Sequence, residues 1–296
     1  MQPRYGLAVA TAEVVVPQVN FPEGPVWCDD GTLVFTSVPN GALYRVDVTS
    51  GALSTVAVVG GGANSAAPAS EGGFVVTQNG GIDFSGLAAA NASMPPYAPI
   101  TPGIQYVAPD GALRYLYDEG FLAPNDLTAT SDGTFYFTDP PHHPPPPEPK
   151  GRVHVVDPDG SCRVLADGFL YCNGIALEPS GTLVVVEARG LLRLTPDGAR
   201  EWIVEHLGDN AGDGLALDVD GRIYACCTGD HAVRVFEPDG TEVERYQLPG
   251  TGLVTNCCFG GTDLRTLFVT EGMPGSVVAF EGMPTAGLPV HHVPVP

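Results

Sequence analysis

The sequence predicts an all-β protein, a six-bladed β-propeller. Two observations carry the fold: a short β-rich motif recurs six times in 296 residues, and no segment has the apolar spacing of an amphipathic helix. A third observation concerns function, because a polar residue recurs at one fixed position ahead of each motif. Since all-β proteins often exceed 200 residues as one unit, we expect residues 1–296 to form a single domain.

Each repeat opens with a tight turn, usually built on glycine, that leads into a β-rich run. The runs are DDGTLVFTS (29–37), EGGFVVTQ (71–78), SDGTFYFTD (131–139), PSGTLVVVE (179–187), VDGRIYACC (219–227) and TDLRTLFVT (262–270). An apolar residue after each turn serves as an anchor, and the six anchors are Leu33, Phe74, Phe135, Leu183, Ile223 and Leu267. Successive anchors are 41, 61, 48, 40 and 44 residues apart. A period of about 40 to 45 residues is typical of propeller blades.

A second β-like segment follows each run, so that every unit offers three or four short strands. The segments are 41–47, 103–111, 151–160, 190–198, 231–240 and 275–282. Four of them end in Pro-Asp-Gly, a strong turn signal. Two proline-rich stretches, 79–103 and 140–150, interrupt the pattern. Because proline cannot donate a ladder hydrogen bond, we expect both to be loop inserts, on the face that carries the site.

The charge balance restricts the partners. The chain has 34 acidic residues against 13 Lys and Arg, a net charge of −21, which repels nucleic acid and anionic membranes and leaves a small-molecule substrate. No stretch approaches the ~18 apolar residues of a membrane span, and the N-terminus is a poor secretory signal. The seven cysteines lack C-x-x-C spacing, which suits reduced thiols. We therefore expect a cytoplasmic protein; the sequence does not indicate an oligomeric state.

The recurring polar residue lies eight positions before the turn glycine in five units, and the sixth unit carries one extra residue. The six residues are Glu23, Asn64, Asn125, Asn173, Asp213 and Asn256. In a propeller the first strand of each blade lines the axis, so this register brings two carboxylates and four carboxamides together at one end of the channel. Buried like charges are costly, and a divalent cation that prefers oxygen ligands offsets them.

The alternative interpretation is turn chemistry, since Asn and Asp before a strand often bond their own backbone. It suits Asn64 and Asn256 better than Glu23, which lies between apolar residues in NFPEGPVW (20–27). Asp139, which ends the second strand of the third unit, is a further candidate that orients a ligand, serves as a base, or is simply an exposed strand-end carboxylate.

Four ordered motifs carry a family resemblance over nearly the whole chain: FPEGPVW, APNDL with DGTFYFTDP, CNGIALEPSGTL and GDGLALDVDGRIY. Together they resemble the SMP-30/gluconolactonase/LRE family, six-bladed propellers with a divalent metal, usually calcium, in the central channel. The resemblance implies that Glu23, Asn173 and Asp213 bind the metal. It also implies that Asn125 contacts substrate or completes the coordination shell. Where sugar-lactone hydrolases of the animal branch carry a substrate-gripping Arg, this sequence has Ala123.

The resemblance implies a metal-dependent hydrolase of a lactone or related ester, in which the metal polarises the carbonyl. We assign Asp213 as general base and Asn125 as the group that orients substrate, with Asn64 and Asp139 as further substrate contacts. Ca²⁺ is the expected ion, with Zn²⁺, Mn²⁺ or Fe²⁺ as alternatives. A diisopropyl-fluorophosphatase-like phosphotriester hydrolase with a nucleophilic carboxylate, a metal-free lyase of the strictosidine-synthase type and a non-catalytic binding propeller remain rival functions. We expect the apolar residues of the first insert, Phe84, Leu87, Met94, Tyr97 and Ile100, to wall the cleft.

Overall fold

Six four-stranded antiparallel sheets make up the computed structural model, which describes residues 11–86, 94–208, 212–250 and 252–296. The chain begins with β1 (Ala12–Pro17). Blade 1 contains β2–β5, which span Pro22–Trp27, Leu33–Ser37, Ala42–Asp47 and Ala52–Val58. Blade 2 contains β6–β9, which span Ala63–Pro68, Phe74–Gln78, Gly103–Val107 and Leu113–Tyr117. Blade 3 contains β10–β13, which span Leu127–Ala129, Phe135–Asp139, Gly151–Val156 and Cys162–Phe169.

The second half of the chain repeats this order. Blade 4 contains β14–β17, which span Cys172–Leu177, Leu183–Glu187, Gly190–Leu194 and Arg200–Val204. Blade 5 contains β18–β21, which span Gly212–Leu217, Ile223–Cys227, Ala232–Phe236 and Glu242–Gln247. A short 3-10 turn, Thr228–Asp230, joins its second and third strands. Blade 6 contains β22–β24, which span Leu253–Gly260, Thr266–Met273 and Ser276–Glu281.

The ring is closed by the two ends of the chain. The N-terminal strand β1 pairs antiparallel with β24, with Val14 opposite Val278, and so supplies the fourth strand of blade 6. First strands of neighbouring blades lie against one another, as β2 does against β6 and β22, which places them around the axis. The six-bladed propeller predicted from the repeats is confirmed.

Six apolar clusters fill the gaps between adjacent blades. The second strand of each blade contributes most, because its side chains alternate between the two neighbouring gaps and β3, for example, is buried at every position. Five of the six predicted anchors are the first residues of these second strands, and Leu267 is the second residue of β23. The β-rich runs therefore correspond to the buried second strands, whose side chains pack between neighbouring blades.

The C-terminal segment crosses one end of the channel. The Leu288 amide donates to the Leu217 carbonyl in blade 5 at 2.9 Å, and the Val293 amide donates to the Pro68 carbonyl in blade 2 at 2.8 Å. Leu217 and Pro68 end their first strands, whereas Glu23 and Asn173 lie near the starts of theirs. The segment thus covers the end of the channel opposite the predicted site, over a cavity of about 330 Å³.

Where the structure describes them, the inserts 79–103 and 140–150 contain no strand before Gly103. Their placement on the site face, and the single-domain organisation of residues 1–296, stay predictions. Within the described ranges, no helix has the length and apolar character that a bilayer crossing demands.

Candidate functional site

Five of the six predicted polar residues lie at irregular points of the first strands, and Asn125 lies just before β10. Pairing with the second strand shifts register between Glu23 and Val26, between Cys172 and Ile175, and between Gly212 and Leu215. Such bulges turn a side chain away from the regular alternation of a strand. In this protein they lie where Glu23, Asn173 and Asp213 occur, so the same local irregularity positions each residue at the axis.

Glycines that follow the polar residues allow the strands to approach closely. A Cβ on Gly174 would lie 2.5 Å from the backbone oxygen of Asp213, and one on Gly214 would lie 2.0 Å from Oδ1 of Asn256. Contacts that short are not tolerated, so the Asn-Gly and Asp-Gly pairs in CNGIAL and GDGLAL reflect crowding at the axis.

Three carboxylates influence one another at the axis. Burial, then the charges of Asp213 and Asp126, raise the pKa of Glu23 well above its usual value. Burial and the charge of Asp126 likewise raise the pKa of Asp213. Burial raises the pKa of Asp126 to about 6, against the opposing effect of a hydrogen bond from Asn256. Without a counter-charge, the site therefore disfavours full ionisation.

Asp126 was missed by the sequence reasoning, although it directly follows Asn125 in APNDL. Both of its oxygens accept hydrogen bonds from Nδ2 of Asn256, at 3.0 and 2.9 Å, from blade 3 to blade 6 across the axis. The alternation of an extended strand would place Asp126 opposite Asn125. However, β10 begins only at Leu127, so the two residues precede the regular strand and both face the channel. The adjacent carboxylate itself was the available signal.

One amide oxygen at the axis has no partner. Asn173 donates a side-chain hydrogen bond to Asp213, which must come from Nδ2 because a carboxylate only accepts. Its Oδ1 is buried and receives no hydrogen bond from the described residues. Buried polar atoms are nearly always satisfied, so this oxygen marks a position for a ligand.

The other two predicted amides bond each other. Nδ2 of Asn64 donates to Oδ1 of Asn125 at 3.1 Å, and Oδ1 of Asn64 accepts from Nδ2 of Asn79 at 2.8 Å. All three are nearly fully buried. Asn79, which opens the first insert, is a second residue that the sequence reasoning did not identify as part of the site.

Asp139 lies apart from this cluster. It is fully buried and accepts hydrogen bonds from the amides of Leu122 and Ala123, both at 2.8 Å, and from Arg152 at 2.6 Å. Glu187 and Glu271, which occupy similar positions in blades 4 and 6, also accept from backbone amides ahead of the first strand. The bonds from Leu122 and Ala123 to Asp139 hold the segment that leads into Asn125. The alternative of an exposed strand-end carboxylate is wrong, because burial and these bonds enclose Asp139; its contact with substrate stays a prediction.

Aromatic side chains from both inserts pack against residues near the carboxylates in sequence or by charge. Burial, then the charges of Asp213, Cys172 and Glu23, raise the pKa of Tyr171, so its phenol lies within electrostatic reach of the carboxylates. The ring of His143, from the second insert, lies 6.1 Å from that of Tyr171. Phe84, from the first insert, packs against Phe21 with ring centroids 4.8 Å apart. Leu87 lies outside the described residues.

The donor chemistry of the cluster fits a hard divalent cation. In the part of the chain that the structure describes, no group of three or more His, Cys, Asp or Glu side chains is arranged to hold an ion. An ion at the axis must therefore take amide oxygens as well, and the unpartnered Oδ1 of Asn173, whose side chain contacts Asp213, offers one. Oxygen-only coordination that mixes carboxylates and amides suits Ca²⁺.

Comparison with known proteins identifies the family. The family model described as "SMP-30/Gluconolactonase/LRE-like region" matches residues 21–272. A protein named Gluconolactonase from Zymomonas mobilis is 25% identical over 295 aligned positions, 87% of this chain and 78% of that protein. Pentonolactonase XacC from Haloferax volcanii is 32% identical over 149, which are 46% of this chain and 50% of its own length.

A solved structure shows the same fold. The crystal structure of a calcium-binding protein, regucalcin, from Agrobacterium tumefaciens superposes with a TM-score of 0.79 at 19% identity, over 97% of this chain and 99% of that one. The propeller architecture and the matched region agree with the four motifs first read in the sequence. This chain belongs to the SMP-30/gluconolactonase/LRE-like family.

Proposed function

We propose that this protein is a divalent-metal-dependent hydrolase of a lactone or related ester. The observation that carries the proposal is the buried, unpartnered Oδ1 of Asn173 beside carboxylates whose pKa values are raised. A cation bound there would satisfy the oxygen and compensate the charges of Glu23 and Asp213. Family members named Gluconolactonase and Pentonolactonase support a lactone as substrate.

Glu23, Asn173 and Asp213 are the proposed ligands, with Asn125 completing the set. All four offer oxygen, so Ca²⁺ fits best, and the description of regucalcin as calcium-binding is consistent with it. Zn²⁺, Mn²⁺ and Fe²⁺ remain alternatives. Zn²⁺ fits less well, since its sites usually contain nitrogen or sulfur ligands and the four proposed ligands offer only oxygen.

The chain's own residues then perform three tasks. Asp213, a residue of intermediate exposure, accepts the proton of the attacking water as general base. Asn125 orients the substrate, and Glu23 and Asn173 would hold the cation in place. A bound cation supplies Lewis-acid polarisation of the ester carbonyl.

Metal analysis paired with a hydrolysis panel tests this proposal. We expect about one divalent cation per chain, and hydrolysis of at least one lactone that stops after exhaustive chelation and returns with Ca²⁺. Chelation should also lower the Tm, because an ion bound only by the folded state adds stability by mass action. The metal hypothesis fails if exhaustive chelation changes neither activity nor Tm. Phosphotriester hydrolysis without lactone hydrolysis would instead select the rival reaction.

A further inference from the structure

The amide side of the site is joined into a directional chain of hydrogen bonds. The backbone N–H of Gly81 donates to Oδ1 of Asn79 at 2.9 Å. Nδ2 of Asn79 then donates to Oδ1 of Asn64, and Nδ2 of Asn64 donates to Oδ1 of Asn125. The chain runs from the first insert to a residue of the proposed catalytic site.

The direction of this chain is fixed at its origin. The N and O of a carboxamide are hard to distinguish in a structure, and their assignment follows from their partners. A backbone N–H can only donate, so the atom of Asn79 that faces Gly81 must be its oxygen. Each later amide is then determined in turn, and the atom of Asn125 that faces Asn64 must be oxygen.

The fold holds Asn79 firmly enough for this ordering. The backbone N–H of Asn79 donates to the carbonyl of Gly62 at 3.0 Å, and only 3% of the residue is exposed. A Cβ on Gly62 would lie 1.9 Å from Oδ1 of Asn79, so the absent side chain at position 62 makes the room that the Asn79 amide occupies.

The far end of the chain is an open donor. Nδ2 of Asn125 has no hydrogen-bond partner among the described residues. It is also absent from the buried side-chain atoms of those residues that lack a partner, so it keeps some exposed surface. It is therefore available to a molecule in the channel. Oδ1 of Asn125 keeps a second lone pair, so coordination by that oxygen is compatible with the bond from Asn64.

We propose that the Gly81–Asn79–Asn64 chain fixes the Asn125 amide with its NH₂ group toward substrate, so that Asn125 donates a hydrogen bond to the oxygen that gains negative charge during hydrolysis. Asn79 and Asn64 are then positioning residues, and Asn125 is the group that touches the substrate. This assignment rests on the proposed hydrolase function. An oriented donor of this kind, when lost, typically costs about a hundredfold or more in kcat.

The substitution Asn79→Asp tests the direction of the chain. Above the pKa of the introduced carboxyl group, the ionised side chain has nearly the same shape and still accepts from Gly81, but it cannot donate to Asn64. Asn64 must then turn to donate to that carboxylate, and Asn125 must turn to donate to Asn64, which leaves an oxygen facing substrate. Measured at saturating calcium, kcat should fall about a hundredfold, with a much smaller change in KM. Asn79→Ala removes the bias without reversing it, so about a tenfold loss is expected.

Gln105→Glu is the matched control. Gln105 is a buried amide of the same blade, 1% exposed, and it bonds Gln78 and the Val59 carbonyl outside the chain. Its conversion to an acid reproduces the cost of a buried carboxyl group without touching Asn64. If neither Asn79 variant loses more kcat than Gln105→Glu, the proposal is overturned.

A second readout does not depend on activity. In spectra of ¹⁵N-labelled protein, the side-chain NH₂ of Asn125, assigned from its disappearance in Asn125→Ala, should exchange rapidly with water in the wild type. It should become protected in Asn79→Asp, where it donates to Asn64. Unchanged exchange in a folded variant contradicts the chain, whereas protection in a protein that hydrolyses no lactone refutes only the proposed function. Should Asn79→Asp not fold, the kcat of Asn79→Ala against that of Gln105→Glu decides.

Discussion

Two sides of the axial site solve the burial of polar groups in opposite ways. On the carboxylate side, formed by Glu23, Asn173 and Asp213 from blades 1, 4 and 5, like charges raise one another's pKa and an amide oxygen lacks a donor. On the amide side, formed by Asn64, Asn125 and Asn79 from blades 2 and 3, neutral groups bond one another. The first arrangement is incomplete without a ligand, and the second is a preorganised support.

The largest expected effect comes from breaking the carboxylate side. Asp213→Asn removes a proposed metal charge and the proposed general base while keeping the shape, so we expect kcat to fall about a thousandfold. Asn64→Ala, on the amide side, should cost about tenfold, because it frees Asn125 without altering the charge of the site. Steady-state kinetics of the two variants check the difference. Similar small losses would mean that both sides are structural.

The pH dependence of stability gives a second, smaller contrast. In the metal-free protein, raised pKa values favour the protonated carboxyls in the folded state. Their stabilising contribution is complete below the unfolded pKa, about 4, and is lost as pH rises through the folded value, about 6 for Asp126. The Tm of the chelated protein should therefore fall by several degrees between about pH 4.5 and 7.5, roughly 2–4 °C for each kcal/mol.

Asp126→Asn is the control for this loss, because it removes one of the titrating groups and keeps a side chain of the same shape. Its Tm should decline less over the same range, and excess Ca²⁺ should reduce the decline of the wild type by binding the ionised carboxylates. An equal decline in the chelated wild type and in Asp126→Asn would contradict the charge coupling at the axis.

The repeat register selected residues on both sides of the site, including Asn64 and Asn125, and the carboxylate side carries a second signal for a physical reason. A propeller repeats its blade, so a fixed distance from the turn glycine selects Glu23, Asn173 and Asp213 in their units, and crowding leaves the following glycine as a second mark. Asn79 and Tyr171 belong to no such register. Asn79 reaches the site from the start of an insert, and Tyr171 reaches it from the segment before β14.

Closure of the fold was also beyond the repeat pattern. The six units indicate six blades, but they do not reveal that β1 completes the last sheet or that the C-terminal segment crosses the channel. Both features are pairings between distant parts of the chain. A repeat pattern shows only the features that all units have in common, so it does not predict such pairings. Asp139 shows a related limit, since a strand-end carboxylate has the same sequence whether it faces solvent or holds backbone amides.

The smallest expected effect concerns substrate preference, where the amide side meets the first insert. Ala123, which replaces the sugar-gripping Arg of the resembled lactonases, is buried and brings no charge to the approach. Phe84 packs on Phe21, and the ring of Tyr97 would lie 3.3 Å from a Cβ on Gly81, beside the origin of the hydrogen-bonded chain. We expect kcat/KM for an aryl or alkyl lactone to exceed that for gluconolactone by about tenfold, since a few buried methylenes suffice for that ratio. Tyr97→Ala should reduce this advantage, whereas Leu113→Ala, an exposed apolar residue of the outer strand β9, should leave it unchanged. A clear advantage for gluconolactone in the wild type would rule out an apolar pocket and leave the insert as a cover for the edge of blade 2.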